Sequence, residues 1–286
     1  MNIDEIIKEL NQNNIIKTKP RNYKKLTGGT SSELYLLCIN EETNYVVKSN
    51  ESQILKVESD FLKCYKELKF IPDLFFVEQS YLYIVYSYIS GSSNNGGITK
   101  RTMLKALVEN VINHYKTFPT DHAGFGYTDD LKTTWADFFL HELIEANNVL
   151  KQHVAIEEYH FVLNVLEELK NQESERRPML LHGDCGVHNF IFNKRQLVGV
   201  IDPTPIIGYP LYDVIYAFCS SPDDLSKETL DLAVSYLTNK GERYPSILYK
   251  EVMIGLYLRL AACIKHHPCD FEKYLKAWFY WKKVIL

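Results

Sequence analysis

Hydrophobic residues recur at helical spacing at the start of this 286-residue chain and at strand-like spacing soon afterwards. Apolar positions in residues 2–13 predict an amphipathic helix. The runs that follow are short and bounded by polar or glycine-rich turns, as is typical of β-strands, at residues 23–26, 33–39, 45–48, 74–77 and 81–86. A helix is predicted over residues 51–68 with Asn50 as its cap. The first ninety residues therefore predict a five-stranded antiparallel sheet with a helix.

Residues 90–97, Ser-Gly-Ser-Ser-Asn-Asn-Gly-Gly, form the clearest break in the pattern because small and polar residues bury almost nothing. We place a boundary just before it, giving an N-terminal domain of residues 1–90 and a C-terminal domain of residues 91–286. Beyond the break the pattern is mainly helical, with helices predicted at 99–118, 134–151, 156–170, from Ser221 onward, 246–264 and 271–284. The expected fold class is α+β, with a sheet-rich first lobe and a larger, mainly helical second lobe.

Composition and charge exclude some classes of protein for this chain. The formal net charge is −4, and the basic residues are spread along the chain, which argues against nucleic-acid binding. No apolar run has the length of a bilayer span, and the N-terminus lacks a signal-peptide pattern. We expect a cytoplasmic protein without a membrane or nucleic-acid partner and with no obligate protein partner evident. The six scattered cysteines are expected to be reduced thiols.

One segment carries a pattern that suits phosphoryl transfer. His182, Asp184 and Asn189 lie in a loop between apolar runs at 179–181 and 190–192, and Asp202 ends a third run over residues 196–201. A strand–loop–strand–turn–strand arrangement brings Asp202 beside the loop. One carboxylate can then act on a hydroxyl proton, while Asn189 and Asp202 offer oxygen ligands to Mg²⁺.

The sheet-rich region contains features that would bind the nucleotide of such a reaction. Lys48 ends an apolar run, and a lysine that points inward from a strand is unusual unless it meets an anion. Glu58, in the middle of the following helix, is its expected partner. A glycine-rich turn joins two strands and could approach phosphates closely, although an ordinary turn is the alternative; its residues are Gly28, Gly29, Thr30 and Ser31.

The end of the fifth strand is a second candidate for nucleotide contact. The backbone of Ser87, Tyr88 and Ile89 leaves the strand just before the break and could hydrogen-bond an adenine edge. A plain strand end is an equally good interpretation.

Together these motifs resemble those of the aminoglycoside phosphotransferase and choline kinase family, small-molecule kinases with a bilobal protein-kinase-like fold. The resemblance runs from about Thr27 to Phe218 and is strongest at His182–Asn189 and at Ile201-Asp202. It implies that Asp184 is the catalytic aspartate, that Asn189 and Asp202 bind Mg²⁺, and that Lys48 and Glu58 form the phosphate-contacting ion pair. It also implies that Asp213 braces the catalytic loop, for which an ordinary helix-terminal acid is the alternative, and that His182 is structural.

The resemblance implies transfer of the γ-phosphate of ATP or GTP to a small-molecule hydroxyl, with Mg²⁺. Pro203 follows Asp202 in place of Phe-Gly, and only ten residues separate Asp202 from Asp213, which disfavours a protein substrate. The acceptor stays open between an aminoglycoside or other antibiotic, with a role in antibiotic resistance, and a metabolite such as choline, a sugar or an amino alcohol. A catalytically silent nucleotide-binding regulatory module and a protein kinase are the rival functions.

Two further groups could belong to an acceptor pocket or to ordinary structure. The aromatic residues could stack on a substrate or fill the core: Trp135, Phe138 and Phe139. The acidic residues could attract a polycation or form solvated surface, the interpretation that we favour: Asp129, Asp130, Asp137, Glu142, Asp223, Asp224 and Asp231.

Overall fold

The chain divides into two compact units in the computed structural model, which describes residues 2–26, 32–41, 43–94, 96–118, 124–170, 177–238 and 245–286. The first unit comprises Met1–Gly96 together with Asn189–Thr204, and the second comprises Gly97–His188 together with Pro205–Leu286. Each unit is therefore built from two separate stretches of chain. The domain boundary that the sequence predicts after residue 90 stays a prediction.

The first unit contains an antiparallel five-stranded sheet in the order β1-β2-β3-β5-β4, as the sequence predicts. Its helices are α1 (Ile3–Gln12) and α2 (Ser52–Cys64), and its strands are β1 (Asn22–Lys25), β2 (Glu33–Cys38), β3 (Asn44–Ser49), β4 (Leu74–Val77) and β5 (Ile84–Ser87). A two-stranded hairpin, β8 (Phe190–Asn193) and β9 (Gln196–Val200), belongs to the same unit. The expected α+β fold class is confirmed.

The core of the first unit lies between α1 and the sheet. The buried stripe of α1 includes Ile6 and Leu10, which cluster with Leu37 of β2, Val47 of β3 and Val85 of β5. This stripe follows the helical period, so α1 covers the sheet with its apolar face and leaves Asp4 and Glu5 exposed.

The second unit is mainly helical. Its helices are α3 (Lys100–Asn110), α4 (Trp135–Leu150), α5 (Ile156–Lys170), α6 (Leu211–Cys219), α7 (Lys227–Ser235), α8 (Pro245–His266) and α9 (Phe271–Ile285). Helix α8 is buried along much of its length, and α4, α5, α6 and α9 pack against it. A small sheet, β6 (Gly126–Tyr127), β10 (Ile206–Gly208) and β7 (Met179–Leu181), leads into the loop of interest.

Several predicted boundaries are wrong. Helix α2 begins at Ser52 with Glu51 at its cap position, because the amide of Asn50 is engaged by the adjacent Glu51 N–H and by Ser32. The helix expected from Ser221 begins at Lys227 and is capped by Ser226. Asp224 has a φ of +46°, a left-handed conformation that cannot belong to the first turn of a right-handed helix.

Strands β6 and β10 were not predicted. Each has three residues or fewer, too short for a periodic signal. Of the described helices, none is both long enough and apolar enough to cross a bilayer.

Gly208 gives a test of how tightly β10 is held against α4. A Cβ placed on Gly208 would lie 2.5 Å from a ring carbon of Trp135, whose side chain is buried at the start of α4. We expect Gly208→Ala to lower the free energy of unfolding by about 1–3 kcal/mol, since overpacking forces neighbouring groups to move. Urea unfolding would measure this loss. In a Trp135→Leu background the same substitution should cost less, and equal costs in the two backgrounds would contradict the assigned contact.

Candidate functional site

The first unit holds a buried lysine between two acids. Lys48 lies in β3, in the interior of the sheet, and is 2% exposed. Its Nζ donates a hydrogen bond to Oε2 of Glu58 in α2 at 2.6 Å, and Glu58 is equally buried. Removing both charges from water costs several kcal/mol per ion before their attraction offsets it, so this pair is not explained by stability alone.

Asp202 completes this cluster, because Lys48 Nζ also donates to its Oδ1. Asp202 follows β9 and has a φ of +63°, a region that Asp tolerates better than most residues but that is sparsely populated. Burial is the largest effect on the pKa of Lys48 and lowers it, but the charges of Glu58 and Asp202 help to outweigh burial and raise the pKa above its ordinary value. Lys48 is therefore an ammonium ion near neutral pH.

Asn189 lies next to the end of the hairpin that carries Asp202. It is 4% exposed, and its carbonyl accepts a hydrogen bond from the N–H of Ile201 at 2.9 Å. The side chain of Asp202 is 39% exposed. Two carboxylates and one ammonium leave this cluster with a formal charge of −1, and the Asn and Asp oxygens are of the type that Mg²⁺ prefers. The donor set therefore fits a magnesium ion whose remaining ligands come from phosphate and water.

No cluster of three or more His, Cys, Asp or Glu residues suited to a metal occurs in the part of the chain that the structure describes. A Mg²⁺ site with one or two protein ligands does not require such a cluster. All six cysteines are unbridged.

Asp184 belongs to the second unit, where its carboxylate interacts with two side chains. His188 Nε2 lies 3.3 Å from Asp184 Oδ2, and the Tyr216 hydroxyl of α6 hydrogen-bonds the same carboxylate. Burial acts to raise the pKa of Asp184, but the hydrogen bonds from His188 and Tyr216 and the electrostatic attraction to His188 outweigh burial and lower the pKa below its ordinary value. Asp184 is consequently an ionised carboxylate that can accept a proton.

The loop before Asp184 is held by the carboxylate of Asp213 at the start of α6. Asp213 is fully buried and accepts hydrogen bonds from the Tyr115 hydroxyl at 2.5 Å and from the backbone N–H groups of His182 and Gly183 at 3.0 and 3.1 Å. His182 is also fully buried, and its Nδ1 accepts from the N–H of Asp184 at 3.3 Å. Gly183 has a φ of +81°, which favours glycine at this turn.

Two site residues were missed from the sequence. Tyr115 lies 67 residues before His182, and no local pattern links them. Tyr216 could have been found, because it lies three residues after Asp213 on α6 and positions three apart share a helix face. Cys185, in the same loop, is buried, and burial raises the pKa of its thiol, which disfavours a reactive thiolate.

The predicted nucleotide-contacting backbone is only partly described. Gly28, Gly29, Thr30 and Ser31 lie outside the described residues. The N–H groups of Ser87 and Tyr88 donate to the carbonyls of Asp73 and Asn44, so they are already engaged within the first unit. Contact of Ser87, Tyr88 and Ile89 with adenine stays a prediction.

The predicted acceptor residues fall into different environments. Trp135, Phe138 and Phe139 are buried and pack on one another near the start of α4, which makes them core residues. Most of the acids are exposed, paired or capping residues: Asp129, Asp130, Asp137, Asp223, Asp224 and Asp231. Glu142 differs, because it lines a cavity of the second unit.

The model of one protein family matches most of the chain. Residues 22–244 match the model of the phosphotransferase enzyme family. No curated protein gives a significant sequence match.

Solved structures share the fold at low sequence identity. The ADP-bound aminoglycoside phosphotransferase APH(2'')-Ib is 20% identical with a TM-score of 0.60, covering 96% of each chain. A choline kinase from Cryptosporidium parvum Iowa II is 13% identical with a TM-score of 0.66, covering 99% of this chain and 95% of that one. A putative fructosamine-3-kinase from Thermobifida fusca YX-ER1 is 13% identical with a TM-score of 0.65, covering 96% and 98%.

The buried carboxylate of Asp213 predicts a pH-dependent contribution to stability. Burial raises its pKa to about 6, although Tyr115 and two backbone N–H groups act to lower it. The folded protein therefore binds the carboxyl proton of Asp213 more tightly than the unfolded chain does. The contribution of Asp213 to the free energy of unfolding is most favourable in acid and is lost as pH rises through about 6.

We therefore expect the free energy of unfolding of the wild type to fall by about 2 kcal/mol relative to that of Asp213→Asn between pH 4 and pH 7, at about 1.4 kcal/mol per pKa unit. Urea unfolding across this range measures the difference. Asp60→Asn, at an exposed position on α2, controls for removal of one surface charge. A difference between wild type and Asp213→Asn that does not change with pH would contradict the assignment.

Proposed function

Because this chain belongs to the phosphotransferase enzyme family, we propose that it transfers the γ-phosphate of ATP or GTP to a hydroxyl group of a small molecule. The observation that carries the proposal is the buried cluster of Lys48, Glu58 and Asp202. Burying a charged lysine between two acids has a high desolvation cost, which stability alone does not explain. Binding a polyphosphate is a function that requires such a charge.

The proposed nucleotide site uses residues of the first unit. Lys48 binds phosphate oxygens and Glu58 fixes its ammonium, while Asn189 and Asp202 hold Mg²⁺. When bound, Mg²⁺ neutralises charge that develops on the phosphates. The turn of Gly28, Gly29, Thr30 and Ser31 is proposed to contact the phosphates, and the segment Ser87–Ile89 the base. The ADP- and GDP-bound aminoglycoside phosphotransferases of similar fold support a nucleotide donor of either kind.

Asp184 is the proposed catalytic residue. The substrate oxygen forms a bond to the γ-phosphorus, the bond from that phosphorus to the bridging oxygen of the nucleoside diphosphate breaks, and the hydroxyl proton passes to Asp184. A pKa below the ordinary value keeps this carboxylate ready to accept the proton. His182 and Asp213 support it by fixing the loop backbone.

A small-molecule acceptor is favoured over a protein by the chain between Asp202 and Asp213. Strand β10 occupies part of this segment and pairs with both β6 and β7, so those residues are committed to a sheet. Two proteins of similar fold are named as an aminoglycoside phosphotransferase and a choline kinase. An antibiotic or a metabolite therefore remains the proposed acceptor.

Substitution of Asp184 tests the proposed reaction. We expect Asp184→Asn to lower turnover by about 10²–10⁴-fold, because the proton acceptor is removed, while the Kd for ATP changes little. A screen of ATP and GTP consumption with antibiotic and metabolite alcohols would first identify a working acceptor, and calorimetry would measure nucleotide binding. Asp223→Asn, an exposed acid of the second unit, is the matched control.

Unchanged turnover in Asp184→Asn would overturn the assigned role. Nucleotide binding with no consumption of ATP or GTP for any acceptor would favour the silent nucleotide-binding module.

A further inference from the structure

A partly open cavity of about 210 Å³ lies in the second unit, between helices α4, α6 and α8. Its lining combines aromatic and apolar side chains with carboxylates. Tyr212 and Tyr216 come from α6, Glu142 from α4, and Glu251 and Gly255 from α8. Gly255 lets α8 approach α6 closely, since a Cβ there would lie 2.5 Å from Ile215.

The cavity is directly linked to the proposed catalytic carboxylate. Tyr216, which lines the cavity, hydrogen-bonds Asp184. Tyr127, a second lining residue, lies close enough to Asp184 for the charge of Asp184 to raise its pKa, after the larger effects of burial and of Glu142. A molecule in this cavity would therefore lie near Asp184.

The ionisable lining groups favour a single positive charge. Among the lining residues that the structure describes, Glu142 and Glu251 are acids and Arg259 is the one basic residue. The guanidinium of Arg259 is committed to the protein, because Nη2 donates to the Ser220 carbonyl at 3.0 Å and Nε donates to the Tyr274 hydroxyl at 3.2 Å. The lining thus carries a formal charge of −1, and aromatic rings beside the acids favour a cation further.

Glu142 is the acid best suited to bind such a cation. It is partly buried on α4 and accepts one long hydrogen bond, at 3.4 Å, from the Tyr127 hydroxyl. A primary ammonium group would form a shorter, charge-assisted hydrogen bond with this carboxylate, and a quaternary ammonium group, which has no N–H, would be attracted by its charge.

The volume of the cavity limits the size of the group that it can enclose. An engineered cavity of about 150 Å³ holds benzene, so 210 Å³ holds a molecule somewhat larger than one ring. A multi-ring aminoglycoside would extend outside this cavity, and its several ammonium groups would exceed the single net negative charge of the lining.

We infer that the acceptor is a small alcohol with one ammonium group, which binds in this cavity with its cation at Glu142 and its hydroxyl toward Asp184. This inference rests on the proposed phosphotransferase function, but the binding part can be measured without turnover.

Binding and turnover are tested with two probes of the same shape that differ in charge, choline and 3,3-dimethyl-1-butanol. Calorimetry on the full chain gives affinity, and ADP release from ATP gives turnover. We expect choline to bind at least tenfold more tightly than its neutral isostere and to be phosphorylated. Ethanolamine serves as a second small cationic alcohol, and kanamycin as a large polycation that should be a much poorer acceptor.

Glu142→Gln preserves shape and removes the charge. We expect it to weaken choline binding at least tenfold and to leave binding of 3,3-dimethyl-1-butanol within about twofold, since the trimethylammonium group has no N–H and is held by attraction to the carboxylate charge. Glu145→Gln, an exposed acid on the same helix, should leave both affinities unchanged. If Glu142→Gln does not fold, Ala262→Leu, which extends a side chain of the lining, should block both small probes.

The outcomes separate this inference from the proposed function. If kanamycin or a neutral sugar is phosphorylated efficiently and neither choline nor ethanolamine binds, the inference is overturned. The proposed phosphotransferase function is then still supported. Choline binding that depends on Glu142, without ATP or GTP consumption for any acceptor, overturns the function and supports the cavity as a cation site. Equal binding of choline and its neutral isostere overturns the role of Glu142.

Discussion

The buried carboxylate of Asp213 is the constraint on which the geometry of the second unit depends. It accepts hydrogen bonds from the backbone of His182 and Gly183, and thereby fixes the strand end that presents Asp184. The same helix, α6, carries Tyr216, which contacts the Asp184 carboxylate, and contributes one wall of the cavity. One helix therefore sets the position of the loop, the environment of its acid and the shape of the adjoining cavity.

The first unit contains a buried cluster of charged side chains. Two carboxylates share one ammonium, so the cluster of Lys48, Glu58 and Asp202 has an excess of negative charge that an apolar replacement would avoid. Buried ion pairs contribute little net stability compared with well-packed hydrophobic residues. Retention of these charges inside a sheet is better explained by the ligands that they can bind than by the stability of the fold.

The sequence was informative where local pattern and chemistry coincide. Lys48 was recognisable because a charged residue ends an apolar strand, and Glu58 because it lies in the middle of the next helix. Strands β6 and β10 escaped notice because strands this short have no measurable period. Tyr115 escaped because its hydrogen bonds to Asp213 and His182 span 98 and 67 residues and follow only from the tertiary fold. The start of α7 was misplaced because the acids after Ser221 occupy a turn in which Asp224 is left-handed.

The division of the chain within the His182–Asn189 segment has a consequence for biosynthesis. The first unit includes residues 189–204, and the contact between Lys48 and Asp202 closes a loop of 154 residues. A ribosome releases the strands of the five-stranded sheet long before it makes the hairpin that carries Asp202. The cluster of Lys48, Glu58 and Asp202 can therefore be completed only after the second unit's first segment has been translated, and a chain truncated before residue 189 lacks both proposed magnesium ligands.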